Sequence, residues 1–217
     1  VVTLTEPASG RRLAWAEIDE LCAPAGWGRH GPSPHPAHGH EREHRAGRLL
    51  VRRLLHEAGL PADAAVATRP EGRPYLPAHP GLWLSVSHSG TMVAAALADH
   101  PVGMDLQEPL PPSSALIRRC CAPDDAARLR ALPERERAIQ FAYVWTAQEA
   151  CVKATGRGFA DAPWNIPVPL GARAGRWRSW AWHHLTHPAC PYPLCLAGPA
   201  SEAPSDSSDE RTYRQNG

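Results

Sequence analysis

HPVGMDLQEPL, residues 100–110, organises the reading of this chain. Its run of small apolar residues from 102 to 106 reads as a strand, closed by a proline-rich bend over 109–112. An acid, Asp105, interrupts the run just past Gly103. Strand alternation puts Gln107 on the same face as Asp105 and Glu108 on the other. A packed core alone has no use for that acid.

Upstream, LWLSVSHSG (82–90) and TMVAAALAD (91–99) are two short apolar runs joined at Ser-Gly, the pattern of a hairpin. EREHRAGRLLVRRLLH (41–56) carries Leu49, Leu50, Leu54 and Leu55 on one helical stripe with arginines opposite, and Gly59 closes the helix. RRLAWAEI (11–18) alternates as a strand.

Downstream, SSALIRRCC (113–121) and APDDAARLRAL (122–132) predict two helices, the second with Asp124 as a plausible cap. The longest helix is expected from about 134 to 155, with Ile139, Phe141 or Ala142, Trp145, Ala150 and Val152 inward and Gly156 near its end. RWRSWAWHHL (176–185) and YPLCLAG (192–198) read as a closing pair of strands, with Trp180 and Trp182 on one face.

The expected class is α+β. Helix plus antiparallel strands recurs as two similar halves, residues 1–109 and 110–200, which meet near residue 110. Residues 201–217 are polar and nearly free of hydrophobes, the composition of a disordered tail.

With 217 residues and a formal net charge of +1, the chain can bury a core and carries no global field for nucleic acid or an anionic membrane. Six cysteines without a CxxC pair, the absence of a signal peptide and the absence of a long apolar run predict a cytoplasmic protein. HGPSPHPAHGHEREH (30–44) holds five histidines whose spacing matches no closed zinc set. A solvated proline-rich loop or adventitious metal binding are the two readings.

The residues able to carry chemistry are few. Glu149 and Lys153 stand at i, i+4 on one helix face, an ordinary ion pair if taken alone. Two carboxylates, Asp105 and Glu149, converging from a strand and a helix would offer hard oxygen ligands suited to Mg²⁺. A lysine beside them would stabilise charge gathering on a phosphate. Ser87, His88 and Ser89 add donors, and Arg73 a further cation. Taken alone, His88 reads as a satisfied turn histidine and Arg73 as a solvated loop residue. Trp145 and Phe159 read as core, and Cys151 as packing.

In order, GRPYL (72–76), LSVSHSG (84–90), VGMDLQ (102–107) and FAYVWTAQEACVKATGRGF (141–159) resemble the 4′-phosphopantetheinyl transferases. The resemblance is to the larger single-chain type, in which two similar halves make one site between them, and it spans about residues 41 to 198. It implies transfer of phosphopantetheine from coenzyme A to a serine of an apo acyl or peptidyl carrier protein, leaving adenosine 3′,5′-bisphosphate. Carriers of fatty acid, polyketide and nonribosomal peptide synthases are equally open.

Residue by residue, the resemblance implies that Asp105 and Glu149 hold Mg²⁺ against the pyrophosphate, with Gln107 as a diminished ligand where relatives often have an acid. Lys153 would contact the α-phosphate and assist the leaving group. His88 with Ser87 would bind the adenosine-side phosphates and Arg73 the 3′-phosphate end, with Arg42, Arg45 and Arg48 as further candidates. Glu149 would take the serine proton, directly or through a metal-bound water. Gln148 stands where relatives usually have lysine, which predicts a site short of one cation.

For the carrier, Leu116 and Ile117 are candidate anchors or core residues, and Arg118 and Arg119 candidates for its acidic side. Two halves in one chain make a monomer sufficient. The competing readings are a coenzyme A-binding relative that has lost efficient transfer and a histidine-rich metal-binding interaction protein.

Overall fold

A computed structural model describes residues 1–6, 10–22, 36–200 and 213–215, with 36–40, 159 and 213–215 described by backbone alone. The first part of the chain forms β1 (Val2–Glu6), β2 (Arg11–Glu17), a short α1 (Ile18–Cys22) and a long α2 (Pro36–Glu57). Two-residue strands β3 (Ala67–Thr68) and β4 (Pro74–Tyr75) precede the hairpin β5 (Trp83–Ser89) and β6 (Met92–Ala98), and then β7 (Gly103–Leu106). There follow α3 (Ser114–Cys120), α4 (Pro123–Ala131), α5 (Glu134–Thr155) and the meander β8 (Ala174–Trp177), β9 (Trp180–His187) and β10 (Cys190–Pro199). The last described element is β11 (Tyr213–Gln215).

The architecture is α+β, with two antiparallel sheets ordered β11-β1-β2-β6-β5-β4-β3 and β7-β10-β9-β8. Three cores stack them into four layers. Leu50, Leu54 and Leu55 of α2 pack on Val93, Ala95 and Leu97 of β6. The other face of β6, with Ala94, Ala96 and Ala98, meets Met104 and Leu106 of β7 and Leu194 and Leu196 of β10. Beyond the second sheet, Ala147, Ala150, Cys151 and Ala154 of α5 pack on Trp182, Cys195 and Ala197. Every residue of β6 is therefore buried, on both faces. That explains why MVAAALA carries no polar alternation.

Several expectations change against these layers. β7 lies ahead of the expected boundary near residue 110, yet it pairs with β10, Asp105 standing opposite Cys195. The second sheet thus takes one strand from the chain's first half. The sheets are unequal, seven strands against four among the described residues. Residues 213–215, expected within a disordered tail, pair with β1; the rest of 201–217 lies outside the described residues. Of the histidine-rich stretch, residues 36–44 are helical rather than a loop, and 30–35 lie outside the described residues.

Asp124 does not cap α4: the cap position is Ala122, Pro123 opens the helix and Asp124 sits in its first turn. There its charge favours the helix N-terminus without a capping bond. For α3, the Ser113 hydroxyl does accept from Leu116 N–H at 3.2 Å. α5 ends at Gly156, left-handed at φ 68°, whose N–H returns to the Lys153 carbonyl. No helix among the described residues is long and apolar enough to cross a membrane. All six cysteines are free thiols.

Candidate functional site

Gly103 fixes where α5 crosses β7. A Cβ there would lie 2.0 Å from the Ala150 carbonyl oxygen and 2.4 Å from Ala154 N, so only glycine admits the helix backbone. The close approach at Gly103 is thus made by α5. It brings Glu149 and Lys153, one helical turn apart, over Asp105.

Asp105 is buried, and its Oδ1 accepts from Lys153 Nζ at 2.6 Å and from the Ser87 hydroxyl at 2.7 Å. Lys153 also reaches the Val86 carbonyl at 3.4 Å, which ties α5 to the first sheet. Oδ2 of Asp105 and Oε1 of Glu149 are buried without a hydrogen-bond partner. Burial first, then the neighbouring Asp105 charge, push the Glu149 carboxyl up to about 7, against an opposing pull from Lys153.

Two crowded carboxylates with orphaned oxygens are a donor set that fits a hard divalent cation. Among the described residues no group of three His, Cys, Asp or Glu side chains could hold a metal by itself. The remaining ligands would have to come from a substrate or from water.

Arg73, on the link between β3 and β4, shares an open cleft with Glu71, Ser85, Glu149, Lys153 and Gly158. Its guanidinium stacks 4.2 Å over the Trp83 ring and abuts Gly156 at the C-terminus of α5. Its Nε is buried with no hydrogen-bond partner. Burial, with help from Arg69, lowers its pKa. A desolvated arginine facing a lysine across a cleft is suited to an anion.

Ser87, expected to hold phosphate, instead turns inward. β5 alternates Ser85, Ser87 and Ser89, and their hydroxyls accept from Met104, Leu106 and Glu108 N–H at 2.8, 3.3 and 3.0 Å. Ser85 also donates to the Met104 carbonyl at 3.3 Å. This serine ladder satisfies the edge of β7 that no described strand pairs, and it joins the two sheets through side chains.

His88 faces the other way, toward α2, with Nδ1 3.3 Å from Glu43 Oε2 and its ring 5.9 Å from that of His44. Arg45 and Arg48 are exposed on α2, and Arg42 pairs with Asp19. None of these residues lines the cleft that holds Arg73 and Lys153.

Gln148 is a correction. It is fully buried, and its Nε2 donates to the Cys120 and Ile166 carbonyls at 2.8 and 2.9 Å. It ties α3 to the segment after α5, so no cation is missing from the site on its account.

Gln107 donates to the Glu108 carbonyl at 3.0 Å and lines a separate apolar groove with Leu110, Leu116, Phe141 and Trp145. Ile117 is 2% exposed in the core between α3, α4 and α5 and cannot anchor a partner, whereas Leu116 reaches the groove. Arg118 is exposed, and Arg119 lies 3.6 Å over the Trp164 ring. Trp145 is half-buried, stacked on Phe141, and the Phe159 side chain lies outside the described residues. Cys151 is buried with its thiol pushed up to about 12, as packing requires.

What the sequence missed is Ser85, and the structural role of Ser89. The signal was present, since serine at every second position of a strand marks one face.

Residues 101–194 match the family model described as the 4′-phosphopantetheinyl transferase superfamily, and that segment contains Asp105, Glu149 and Lys153. The resemblance drawn from the ordered motifs is borne out. GRPYL and LSVSHSG lie ahead of the matched residues.

Among curated relatives, the chain is 32% identical over 116 residues to 4′-phosphopantetheinyl transferase psf-1 of Bacillus pumilus, covering 52% of this chain and 50% of that one. It is 27% identical over 99 residues to 4′-phosphopantetheinyl transferase Sfp of Bacillus subtilis, covering 46% and 44%. It is 32% identical over 129 residues to 4′-phosphopantetheinyl transferase HetI of a Nostoc species, covering 56% and 54%. The chain spans about half the length of the curated relatives it matches.

Proposed function

We propose that this protein transfers 4′-phosphopantetheine from coenzyme A to a serine of an apo acyl or peptidyl carrier protein, in a Mg²⁺-dependent reaction. The observation that carries the reading is the pair of orphaned buried oxygens, Asp105 Oδ2 and Glu149 Oε1: Glu149 lines one cleft with Lys153 and Arg73, and Lys153 holds the Asp105 carboxylate behind it.

Asp105 and Glu149 are the residues that would hold Mg²⁺. When bound, the ion supplies positive charge to the pyrophosphate and polarises its bridge. The carrier serine oxygen forms a bond to the pantetheine-side phosphorus, the bond from that phosphorus to the bridging oxygen breaks, and adenosine 3′,5′-bisphosphate leaves. Glu149 receives the serine proton. With no metal bound, burial and then Asp105 raise its proton affinity toward neutral pH. Lys153 offsets charge on the leaving phosphate, and Arg73 binds the anionic end of coenzyme A.

The resemblance alone supports His88 and Arg45 as partners of the adenosine-side phosphates. The apolar groove of Leu110, Leu116, Phe141 and Trp145 is the surface offered to the carrier, with Arg118 and Arg119 nearby for its acidic side.

The test is the mass of an apo carrier protein after incubation with this chain, coenzyme A and Mg²⁺. A gain of one phosphopantetheine group that EDTA abolishes supports the reading. Coenzyme A binding without any gain, on carriers of several kinds, would instead identify a relative that binds but does not transfer. The turn of Gln107 toward Glu108, which leaves the site two acids, favours that second reading.

A further inference from the structure

We infer that Ser87 is a positioning residue for Asp105: its hydroxyl fixes the carboxylate so that Oδ1 is taken up within the protein and Oδ2 is left for a divalent cation. The inference rests on the proposed site and adds a residue whose inherited assignment was to phosphate. Three observations carry it.

First, Ser87 is 5% exposed and its single proton goes to Asp105 Oδ1 at 2.7 Å, so the hydroxyl has none left for a phosphate oxygen. Second, Oδ1 receives Lys153 as well, at 2.6 Å, while Oδ2 receives nothing. Two donors on one oxygen distinguish the two ends of the carboxylate and hold its rotation about χ2. Without Ser87, Lys153 alone could follow either oxygen.

Third, Ser87 is itself held. Its oxygen accepts Leu106 N–H at 3.3 Å, from the residue next to Asp105 along β7. The same hydroxyl therefore registers both the strand and the side chain it presents. Ser89 is the internal comparison, because it takes Glu108 N–H at 3.0 Å in the same ladder and has no bond to Asp105. If the ladder only held β7 in place, the two serines would be equivalent.

The experiment reads Mn²⁺ affinity by electron paramagnetic resonance, using the full chain with coenzyme A and no carrier, so that binding is separated from turnover. Ser87→Cys keeps the side-chain shape with a somewhat larger sulfur and loses the strong donor, Ser87→Thr restores a hydroxyl, and Ser89→Ala removes a rung with no tie to Asp105. Thermal melts accompany each variant.

Ser87→Cys is expected to weaken Mn²⁺ binding about tenfold, the scale of a hydrogen bond to a charged group. Ser87→Thr and Ser89→Ala are expected to stay within about twofold of the parent. Ser87→Cys with parental affinity overturns the inference. So does an equal loss in Ser89→Ala, which would reduce Ser87 to a strand fastener, or an equal loss in Ser87→Thr, which would show that the hydroxyl is not what matters.

Should Ser87→Cys not fold, Ser87→Ala takes its place in the same comparison. If neither folds, Ser87 acts on the strand as a whole and the inference fails. A parent chain that binds coenzyme A but no Mn²⁺ removes the proposed site, and with it this role for Ser87. Parental metal binding with no effect of Ser87 leaves the proposed function standing alone.

Discussion

Replacing Gly103 by alanine puts a methyl group where the Ala150 carbonyl oxygen is 2.0 Å away and Ala154 N 2.4 Å away. A relaxed carbon–oxygen contact needs about 3.3 Å, so α5 and β7 must separate locally by roughly 1.3 Å. The helix cannot simply slide. Gln148 holds it to the Cys120 and Ile166 carbonyls, and the Thr146 hydroxyl lies 3.1 Å from His184 Nε2, so it must tilt about those anchors.

Overpacking of this kind costs up to about 3 kcal/mol. For a chain of this size that corresponds to a loss of roughly 6–12 °C in Tm. The tilt also lifts Glu149 and Lys153 from Asp105, and a displacement of about 1 Å in a reacting site can cost on the order of a hundredfold in rate. Thermal melts and the carrier mass assay measure the two effects separately. Gly81→Ala, where nothing lies within 4 Å, is the control and should change neither. A Gly103→Ala chain that melts within about 2 °C of the parent and transfers at the parental rate would refute both the contact and its role in placing the acids.

Glu149→Gln should abolish transfer and also change the pH dependence of metal-free stability. The folded carboxyl titrates near 7 and the unfolded one near 4.5, so the folded state holds the extra proton between those values. Stability from this group is present below about 4.5 and declines as pH rises through about 7. Melts from pH 4.5 to 7.5 should show that decline in the parent and lack this part of it in Glu149→Gln.

Gln148→Lys should lower Tm without raising turnover, because it puts an ammonium at a fully buried position away from the cleft; faster transfer would show that the position does face the site. Arg73→Ala should raise KM for coenzyme A about tenfold with a smaller effect on kcat, read from initial rates. An unchanged KM would take Arg73 out of the anion's path.

Much of the fold was legible where the chain reports on itself locally. α5 spans Glu134–Thr155 as its apolar spacing and Gly156 implied, and β5 and β6 form the expected hairpin, its turn at Gly90–Thr91, one residue past the Ser-Gly junction's serine. Asp105, Glu149 and Lys153 were visible because each breaks an apolar pattern, and α5 does bring them together. What escaped the sequence depends on partners far along the chain. The pairing of β7 with β10 spans some ninety positions, and no local pattern names the strand across the gap. Gln148 sits beside Glu149 in sequence, but one step along a helix rotates a side chain by about 100°, from the cleft into the core. Ser85, Ser87 and Ser89 share one face of β5, but what that face bonds is the edge of β7, which lies outside the local pattern.

The alanines of β6 act as shims. Ala94, Ala96 and Ala98 lie between the two sheets, and their small side chains set how thick that layer can be. The reach of a serine hydroxyl is fixed by covalent geometry, so the ladder from β5 to β7 closes only while the layer stays thin. Enlarging Ala96, which touches no proposed substrate, would act like a thicker spacer in a hinge and open the distance that Ser85 and Ser87 must bridge. The tolerance of the whole cleft is thus set by side chains with almost nothing to them, which makes β6 a place where activity could be tuned without touching a charged residue.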